Sequence, residues 1–250
     1  MVVFSFNASQ LVTVWDSAHS PTLHWFAALF QDQEMLGAAW ISLKVGLINA
    51  TGATILGTLA GYGLARFEKF RGRFTLNAMT TAPLVMPEVI TGLSLLLMFV
   101  ALDQSIGWPA GRGVGTMIMA HMTFSMAYVT VVVRSRMATF DRSLEEAAMD
   151  LGARPVKVFF VITLPIVLPA ILAGWLLAFT LSWDDLVISS FTSGPSSSTL
   201  PMVVFSKVRL GVSPEINALA TLTIGTVALL VTGASLWIAR RDAARTVATG

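Results

Sequence analysis

EAAMDLGARPVKVFFVITLP, residues 146–165, is a polar stretch that opens between two long apolar segments of the chain. Ser143-x-x-Glu146 has the spacing of a capping box, which predicts that a helix begins near Ser143. Gly152 can adopt a positive φ and end that helix, and Pro155 suits the first turn of a second helix. The pattern therefore predicts a short helix, a glycine turn and a second helix that runs into the next apolar segment.

The composition is typical of a membrane protein. Charged residues make up 12% of the 250 residues and hydrophobic residues 55%, whereas a soluble domain typically carries about 25% charged residues. The mean hydropathy of +0.74 agrees with this. The apolar residues form blocks that are long enough to cross a hydrocarbon core of roughly 30 Å as helices. The sequence therefore predicts an all-α polytopic membrane protein.

Five full transmembrane helices are predicted, at about 38–65, 75–101, 114–133, 159–182 and 216–239. Pro83 and Pro87 interrupt the second span. In the first span, Gly57 and Gly61 have the small-xxx-small spacing that lets helices approach closely. Packing within the subunit is the favoured interpretation of that spacing.

Residues 1–250 are predicted to form a single transmembrane domain, with a polar loop at 140–158 between the third and fourth spans. Residues 1–6 are an apolar stub that is too short to cross a membrane. We expect this stub to be what remains of a missing or truncated first helix. A short interfacial helix is predicted over 22–35, where Trp25 can lie at the headgroup level.

Positive charge sets the predicted orientation. The loop at 66–74, the stretch at 134–158 and the C-terminal tail hold twelve of the sixteen Lys and Arg residues. Cytoplasmic loops carry an excess of Lys and Arg, so these three regions are predicted to be cytoplasmic. Residues 1–37 then lie outside.

Several classes of function are disfavoured by the sequence. The chain has no cysteine, and His19, His24 and His121 show no ligand spacing, so neither a thiolate nor a histidine metal site is predicted. HExxH, GxSxG and the P-loop pattern GxxxxGK[ST] are absent, so no catalytic residue and no ATP hydrolysis by this chain are predicted. The net charge of +2 does not indicate a nucleic-acid partner.

The pattern EAA-x3-G-x9-I-x-LP matches at every fixed position from Glu146 onwards, and it resembles the EAA loop of ABC-importer permease subunits. The resemblance implies that Glu146, Ala147, Ala148 and Gly152 dock on a separate ATP-hydrolysing subunit and transmit its closure. From physics alone, a connector at the membrane surface is the alternative.

The resemblance extends over nearly the whole chain. The stretches at 6–15, 81–102 and 181–221 are similar to the putrescine branch of the spermidine/putrescine permeases, and within it to the second permease subunit. This implies a type I ABC importer permease (MetI-like) fold in the bacterial inner membrane. It also implies a homologous second permease subunit, two ATPase subunits that bind the ATP, and a periplasmic polyamine-binding protein. No cofactor is expected in this chain.

Three acidic residues near the apolar segments require an explanation, because a charge at the centre of a span costs about 2.5–3.5 kcal/mol on insertion scales. Glu88 either lines a cavity or favours the positive end of a half-helix that Pro87 starts. Asp184 and Asp185 are either functional or begin a new helix, for which Ser182-x-x-Asp185 has capping-box spacing.

The functional interpretation is a path for a cation. Glu88, Asp184 and Asp185 attract the cation, and Trp183 adds a cation–π contact. The chain is therefore predicted to be a non-catalytic permease subunit that moves putrescine into the cytoplasm. Three alternatives stay open, namely a spermidine or other organic-cation importer, a stand-alone secondary transporter, and a membrane-embedded enzyme.

Overall fold

Helices connected by short turns make up the part of the chain that the computed structural model describes, which is residues 2–9, 14–211, 214–226, 228–229 and 232. The α-helices are α1 (His24–Gln31), α2 (Gln33–Arg66), α3 (Arg73–Val85), α4 (Glu88–Ile106), α5 (Val114–Ala138), α6 (Ser143–Asp150), α7 (Pro155–Val158), α8 (Leu164–Trp183), α9 (Val187–Thr192) and α10 (Leu200–Leu210). A 3-10 helix covers Val3–Phe6, a π-helical turn at Phe159–Thr163 joins α7 to α8, and residues 214–226 are also helical.

Four of the described helices are long and apolar enough to cross a membrane. They are α2, α4, α5 and the continuous helix Pro155–Trp183, which comprises α7, the π-helical turn and α8. These helices cover the first, third and fourth predicted spans and the second half of the second. In the fifth predicted span, 216–239, residues 216–226, 228–229 and 232 are described and helical, and the other residues lie outside the described part of the chain.

The second predicted span is broken at one proline and not at two. Pro83 lies inside α3 without ending it. The break comes at Met86, which is extended with ψ 136°, and α4 begins directly after Pro87. A residue before proline is pushed towards extended backbone, which explains why Met86 leaves the helix. The predicted interruption at Pro83 is wrong, and the one at Pro87 is confirmed.

The α2, α5 and α8 helices approach one another closely through glycine. A Cβ on Gly57 would lie 2.7 Å from Cβ of Val129, and a Cβ on Gly61 would lie 3.2 Å from Cβ of Val133. From α8, a Cβ on Gly174 would lie 3.2 Å from Val129. The small-xxx-small spacing in α2 therefore serves packing within the subunit, as predicted.

A buried amide adds polar contacts to this three-helix core. The side-chain amide of Asn49, which is fully buried in α2, donates to Oγ of Ser125 at 3.2 Å and to the carbonyl oxygen of Ala178 at 2.9 Å. One side chain thereby bonds to α5 and α8. Interhelical hydrogen bonds of this kind stabilise transmembrane packing.

Two compact units account for the chain, one formed by Met1–Gly37 with Val203–Gly250 and the other by Ala38–Met202. The prediction of one permease domain stays a prediction. In the first unit, the Asp32 carboxylate accepts the backbone N–H groups of Glu34 and Met35, which caps α2 and divides the predicted helix over 22–35 in two.

An ion pair between Asp32 and Lys207 also belongs to the first unit. Burial opposes both charges, but the hydrogen bond and the attraction between the two groups outweigh it. The pKa of Asp32 is therefore lowered and the pKa of Lys207 is raised.

Two glycines of α2 provide a matched test of the close helix approach. Gly57→Ala places a methyl group against Val129, where it overpacks the core, and should destabilise the protein by about 1–3 kcal/mol. Gly63 has nothing within 4 Å of the added Cβ, so Gly63→Ala should leave stability unchanged or raise it. Thermal unfolding of the two detergent-solubilised variants measures the difference, and equal melting temperatures would contradict the packing.

Candidate coupling loop and substrate pathway

The loop that resembles the EAA loop contains α6, which begins at Ser143, as predicted. Its cap differs from the prediction. Oδ1 of Asp141 accepts the backbone N–H of Ser143 at 2.9 Å, while Arg142 occupies the N-cap position without a side-chain bond. The capping box of Ser143 and Glu146 is therefore wrong, because the aspartate two residues earlier satisfies the helix start. The same backbone hydrogen bond holds the pKa of Asp141 below its usual value.

Gly152 ends α6, as predicted. Its φ of +86° is the left-handed conformation that glycine adopts without strain. Gly152 N–H donates to the carbonyl oxygen of Met149 at 2.9 Å, and Ala153 N–H donates to that of Ala148 at 3.0 Å. These two bonds are a Schellman motif, which satisfies the last carbonyl groups of the helix. Pro155 then starts α7, also as predicted.

The predicted docking residues lie mostly on the exposed face of this loop. Glu146, Ala147 and Gly152 are exposed, and Ala148 is half-buried. Exposed apolar side chains surround them, namely Leu144, Met149, Leu151 and Val156. Leu151 is 90% exposed. Several exposed apolar side chains close together on a polar loop are typical of a surface that contacts another protein.

Glu145 is a site residue that the sequence reasoning missed. Its side chain is buried, because it points about 100° away from that of Glu146 on the helix. Oε2 of Glu145 lies 2.9 Å from Nε of Arg66, the last residue of α2. Oε1 accepts a hydrogen bond of 2.5 Å from the hydroxyl of Thr163, at the end of the π-helical turn. We call these three residues the Arg66–Glu145–Thr163 cluster.

The cluster is shielded from solvent. The side chains of Arg66 and Glu145 are 7% and 11% exposed, and the Arg66 guanidinium lies 5.0 Å from the centre of the Phe140 ring. Nε and Nη2 of Arg66 are buried and have no hydrogen-bond partner among the described residues, so the contact with Glu145 is an ion pair and not a hydrogen bond. Loss of one member of a buried ion pair typically costs about 3–5 kcal/mol, because a buried charge is left uncompensated. The two adjacent glutamates were the signal in the sequence, since they cannot share a helix face.

At the junction of α8 and α9, Asp185 is held by neighbouring groups. Its carboxylate accepts the N–H groups of Ile188 at 3.2 Å and Ser189 at 2.7 Å, which caps α9. Oδ2 also lies 3.3 Å from Nε2 of the buried His121. The hydroxyl of Ser182 is 2.6 Å from Nδ1 of the same histidine and does not cap α9. The interpretation that Asp185 begins a new helix is confirmed, and the part predicted for Ser182 in a capping box is wrong.

The other predicted pathway residues are exposed or half-buried. Asp184 is the exposed C-cap of α8, and Glu88 is exposed in the first turn of α4 after Pro87. Trp183 is half-buried and stacks on Phe179 with ring centres 5.8 Å apart. In the part of the chain that the structure describes, no three His, Asp or Glu side chains converge as metal ligands would.

Helix α4 packs against α9, so Glu88 and the α8–α9 junction belong to neighbouring elements. Gly92, one turn after Glu88, permits the contact, because a Cβ there would lie 2.6 Å from the ring of Phe191. The structure therefore brings the half-helix that carries Glu88 to the helix that Asp185 caps. It assigns different environments to the two adjacent aspartates.

Comparison with known proteins identifies the family. Residues 53–244 match the family model described as the inner membrane component of binding-protein-dependent transport systems. The chain belongs to this family. It is a permease subunit of a binding-protein-dependent ABC transporter in the inner membrane, and the predicted localisation is confirmed.

Two relatives are named as polyamine permeases. The chain is 60% identical to the putrescine transport system permease protein PotI of Escherichia coli K12, over 92% of this chain and 81% of the relative. It is 38% identical to the spermidine/putrescine transport system permease protein PotC of the same strain, over 96% of this chain and 87% of the relative. The predicted resemblance to this group of permeases is confirmed.

Two solved structures show the fold. A bacterial ABC transporter involved in the import of the acidic polysaccharide alginate has a TM-score of 0.68 at 14% identity, over 94% of this chain and 86% of that one. The MetNI methionine ABC transporter in an inward-facing conformation has a TM-score of 0.64 at 15% identity, over 82% of this chain and 94% of that one. The predicted type I ABC importer permease fold is confirmed.

Adjacent aspartates with different surroundings should respond differently to the same change. Asp185→Ala removes the cap of α9 and the partner of His121, so it should lower stability by about 1–3 kcal/mol. Asp184→Ala removes an exposed carboxylate and should change stability by less than about 0.5 kcal/mol. Thermal unfolding of the solubilised variants checks this, and a larger loss at Asp184 would contradict the geometry.

Proposed function

We propose that this chain is the permease subunit of an ATP-driven importer whose cargo is a polyamine, with putrescine as the main substrate. The 60% identity to a protein named as a putrescine permease supports the cargo. Coupling to ATP is supported by the geometry of α6. This short helix ends in a glycine turn, and its exposed face carries Glu146 and Ala147.

The proposal includes three partner subunits and a delivery protein. A homologous permease pairs with this chain, two ATPase subunits bind and hydrolyse the ATP, and a periplasmic protein delivers the polyamine. The 250-residue sequence has no P-loop pattern of its own, which is why hydrolysis is assigned to separate subunits. The exposed apolar side chains next to Gly152 supply a surface for an ATPase subunit.

The cargo is a cation, and the exposed acids are suited to it. A carboxylate and an ammonium group 4 Å apart attract by roughly 4 kcal/mol at an effective dielectric of 20. Glu88 and Asp184 are exposed and can meet such a cation directly. Trp183 adds a cation–π contact of roughly 0.5–2 kcal/mol. Asp185, which already accepts two backbone N–H groups, contributes by fixing the junction beside Asp184.

In the proposed cycle, closure of the ATPase subunits moves α6, and the spans rearrange around the substrate path. The Schellman turn at Gly152 fixes the angle between α6 and α7, so displacement of α6 reaches the helix that leads to Trp183. A rigid turn is needed for this, because a flexible linker would absorb the movement.

Uptake by the purified complex tests the function. The chain, its partner permease and the ATPase subunits are reconstituted in proteoliposomes with the binding protein, and labelled putrescine, spermidine and arginine are compared. We expect putrescine uptake that requires ATP. Uptake that persists without ATP in an imposed ion gradient would support a secondary transporter instead. Preferred uptake of spermidine or arginine would change the cargo.

Neutralisation of the exposed acids should weaken transport without loss of assembly. Glu88→Gln and Asp184→Asn each remove one attraction for an ammonium group, so each should reduce putrescine uptake at low substrate concentration at least fivefold. The amount of assembled complex in the membrane serves as the control for folding. Normal uptake by both variants would contradict the cation path.

Gly152→Asp should separate ATP hydrolysis from transport. The positive φ strains any other residue, so the turn reshapes and α6 loses its angle to α7. We expect the complex to reach the membrane and hydrolyse ATP while putrescine uptake falls at least tenfold. Gly72→Asp is the matched control, because Gly72 has φ +90° and lies in another loop. An equal loss of uptake in both variants would count against a specific role for Gly152.

A further inference from the structure

The Arg66–Glu145–Thr163 cluster connects the proposed docking helix to the spans. We propose that these three are positioning residues, which carry the displacement of α6 directly to the end of α2 and the start of α8. This inference rests on the proposed function, since it requires that an ATPase subunit moves α6. It adds a side-chain route to the covalent route through the Gly152 turn.

Helix α6 has one buried side chain through which it contacts the neighbouring helices. All residues of α6 are described, and Glu145 is the one that is buried. The exposed face carries Glu146 and Ala147, and nothing lies within 4 Å of a Cβ placed on Gly152. Displacement of α6 therefore reaches the neighbouring helices through Glu145 or along the backbone.

Both ends of the side-chain route are fixed. Arg66 is the last residue of α2 and is buried against the ring of Phe140. Tyr62, one turn earlier in α2, packs edge-to-face on Phe159, with ring centres 5.0 Å apart. Because the end of α2 is already packed on the start of the continuous helix Pro155–Trp183, the guanidinium has little freedom to follow α6 alone.

Thr163 makes the third connection. It is 1% exposed and closes the π-helical turn that begins at Phe159. A π-helical turn inserts an extra residue into the helix and is frequent at functional sites. Here the turn ends at the residue whose hydroxyl donates to Oε1 of Glu145.

An ion pair transmits the displacement of α6 better than an apolar contact would. Apolar side chains can slide past one another at little cost, whereas separation of Glu145 from Arg66 leaves two opposite charges uncompensated in a buried site. Oε1 of Glu145 is hydrogen-bonded to Thr163 and Oε2 is ion-paired with Arg66 of α2, so α6 is constrained relative to both neighbours. The cluster thus resists both translation and rotation of α6.

Glu145→Gln is the decisive variant, because it keeps the size of the side chain and removes the charge. In the full complex in proteoliposomes, putrescine imported per ATP hydrolysed should fall at least fivefold. Binding of the ATPase subunits and ATP hydrolysis without binding protein should stay within twofold of wild type. Glu68→Gln, an exposed glutamate in the loop after α2, is the matched control and should behave as wild type.

Two further variants separate transmission from stability. The charge reversal Arg66→Glu with Glu145→Arg should restore at least half of the import per ATP that Glu145→Gln loses. Thr163→Val removes only the hydroxyl and should cause a smaller loss. Unchanged import per ATP in Glu145→Gln would overturn the proposal, as would loss of the ATPase subunits from the complex. No putrescine-dependent ATP hydrolysis by wild type would instead refute the proposed cargo.

A distance measurement tests the same idea without transport. The chain has no cysteine, so spin labels at Lys69→Cys and Met149→Cys, both exposed, report on α6 relative to the end of α2. In the wild-type background the distance distribution should be narrow and equal in the nucleotide-free and ATP-bound complexes. In Glu145→Gln it should broaden or change with nucleotide. A wild-type distance that changes by several ångströms would overturn the proposal.

Discussion

The close approach of α2 and α8 to α5 is the constraint on which the rest of the structure depends. Lipid chains are as apolar as leucine, so no hydrophobic force draws the spans together, and van der Waals contact at short range must do so. Gly57 of α2 and Gly174 of α8 both permit that contact against Val129 of α5. Asn49 then bonds to both neighbouring helices. Of the four spans, α5 is the most buried, as expected for the centre of such an arrangement.

Polar groups at both ends of α8 connect the three-helix core to neighbouring elements. At one end of α8, Thr163 is hydrogen-bonded to Glu145 of α6. At the other end, Ser182 is hydrogen-bonded to His121 of α5, which also contacts Asp185. In the proposed cycle, a displacement of α6 therefore enters α8 at a fixed point and reaches the junction beside Asp184. In the proposed function, α8 therefore connects the side of the subunit that docks on the ATPase with the side that receives the cation.

The sequence predicted the positions of turns and helix starts well, but it predicted poorly which side chains form the capping hydrogen bonds. The start of α6 at Ser143 and the left-handed Gly152 follow from residue types within a few positions. The capping box failed because Asp141, just outside the motif, made the bond instead. The predicted break at Pro83 was wrong, because the helix ends at Met86, the extended residue before Pro87.

Hydropathy and the EAA pattern determined the apolar segments and the loop, because these signals are local or are summed over whole segments. The distribution of Lys and Arg predicts the orientation, which stays a prediction. Only the tertiary structure decided that Glu145 is buried beside Arg66 while Glu146 is exposed. Likewise, only the fold placed His121 against Asp185 and left Asp184 open. The physical reason is that such pairs join residues far apart in the chain, and the packing of α2, α5 and α8 selects which face of each helix is buried.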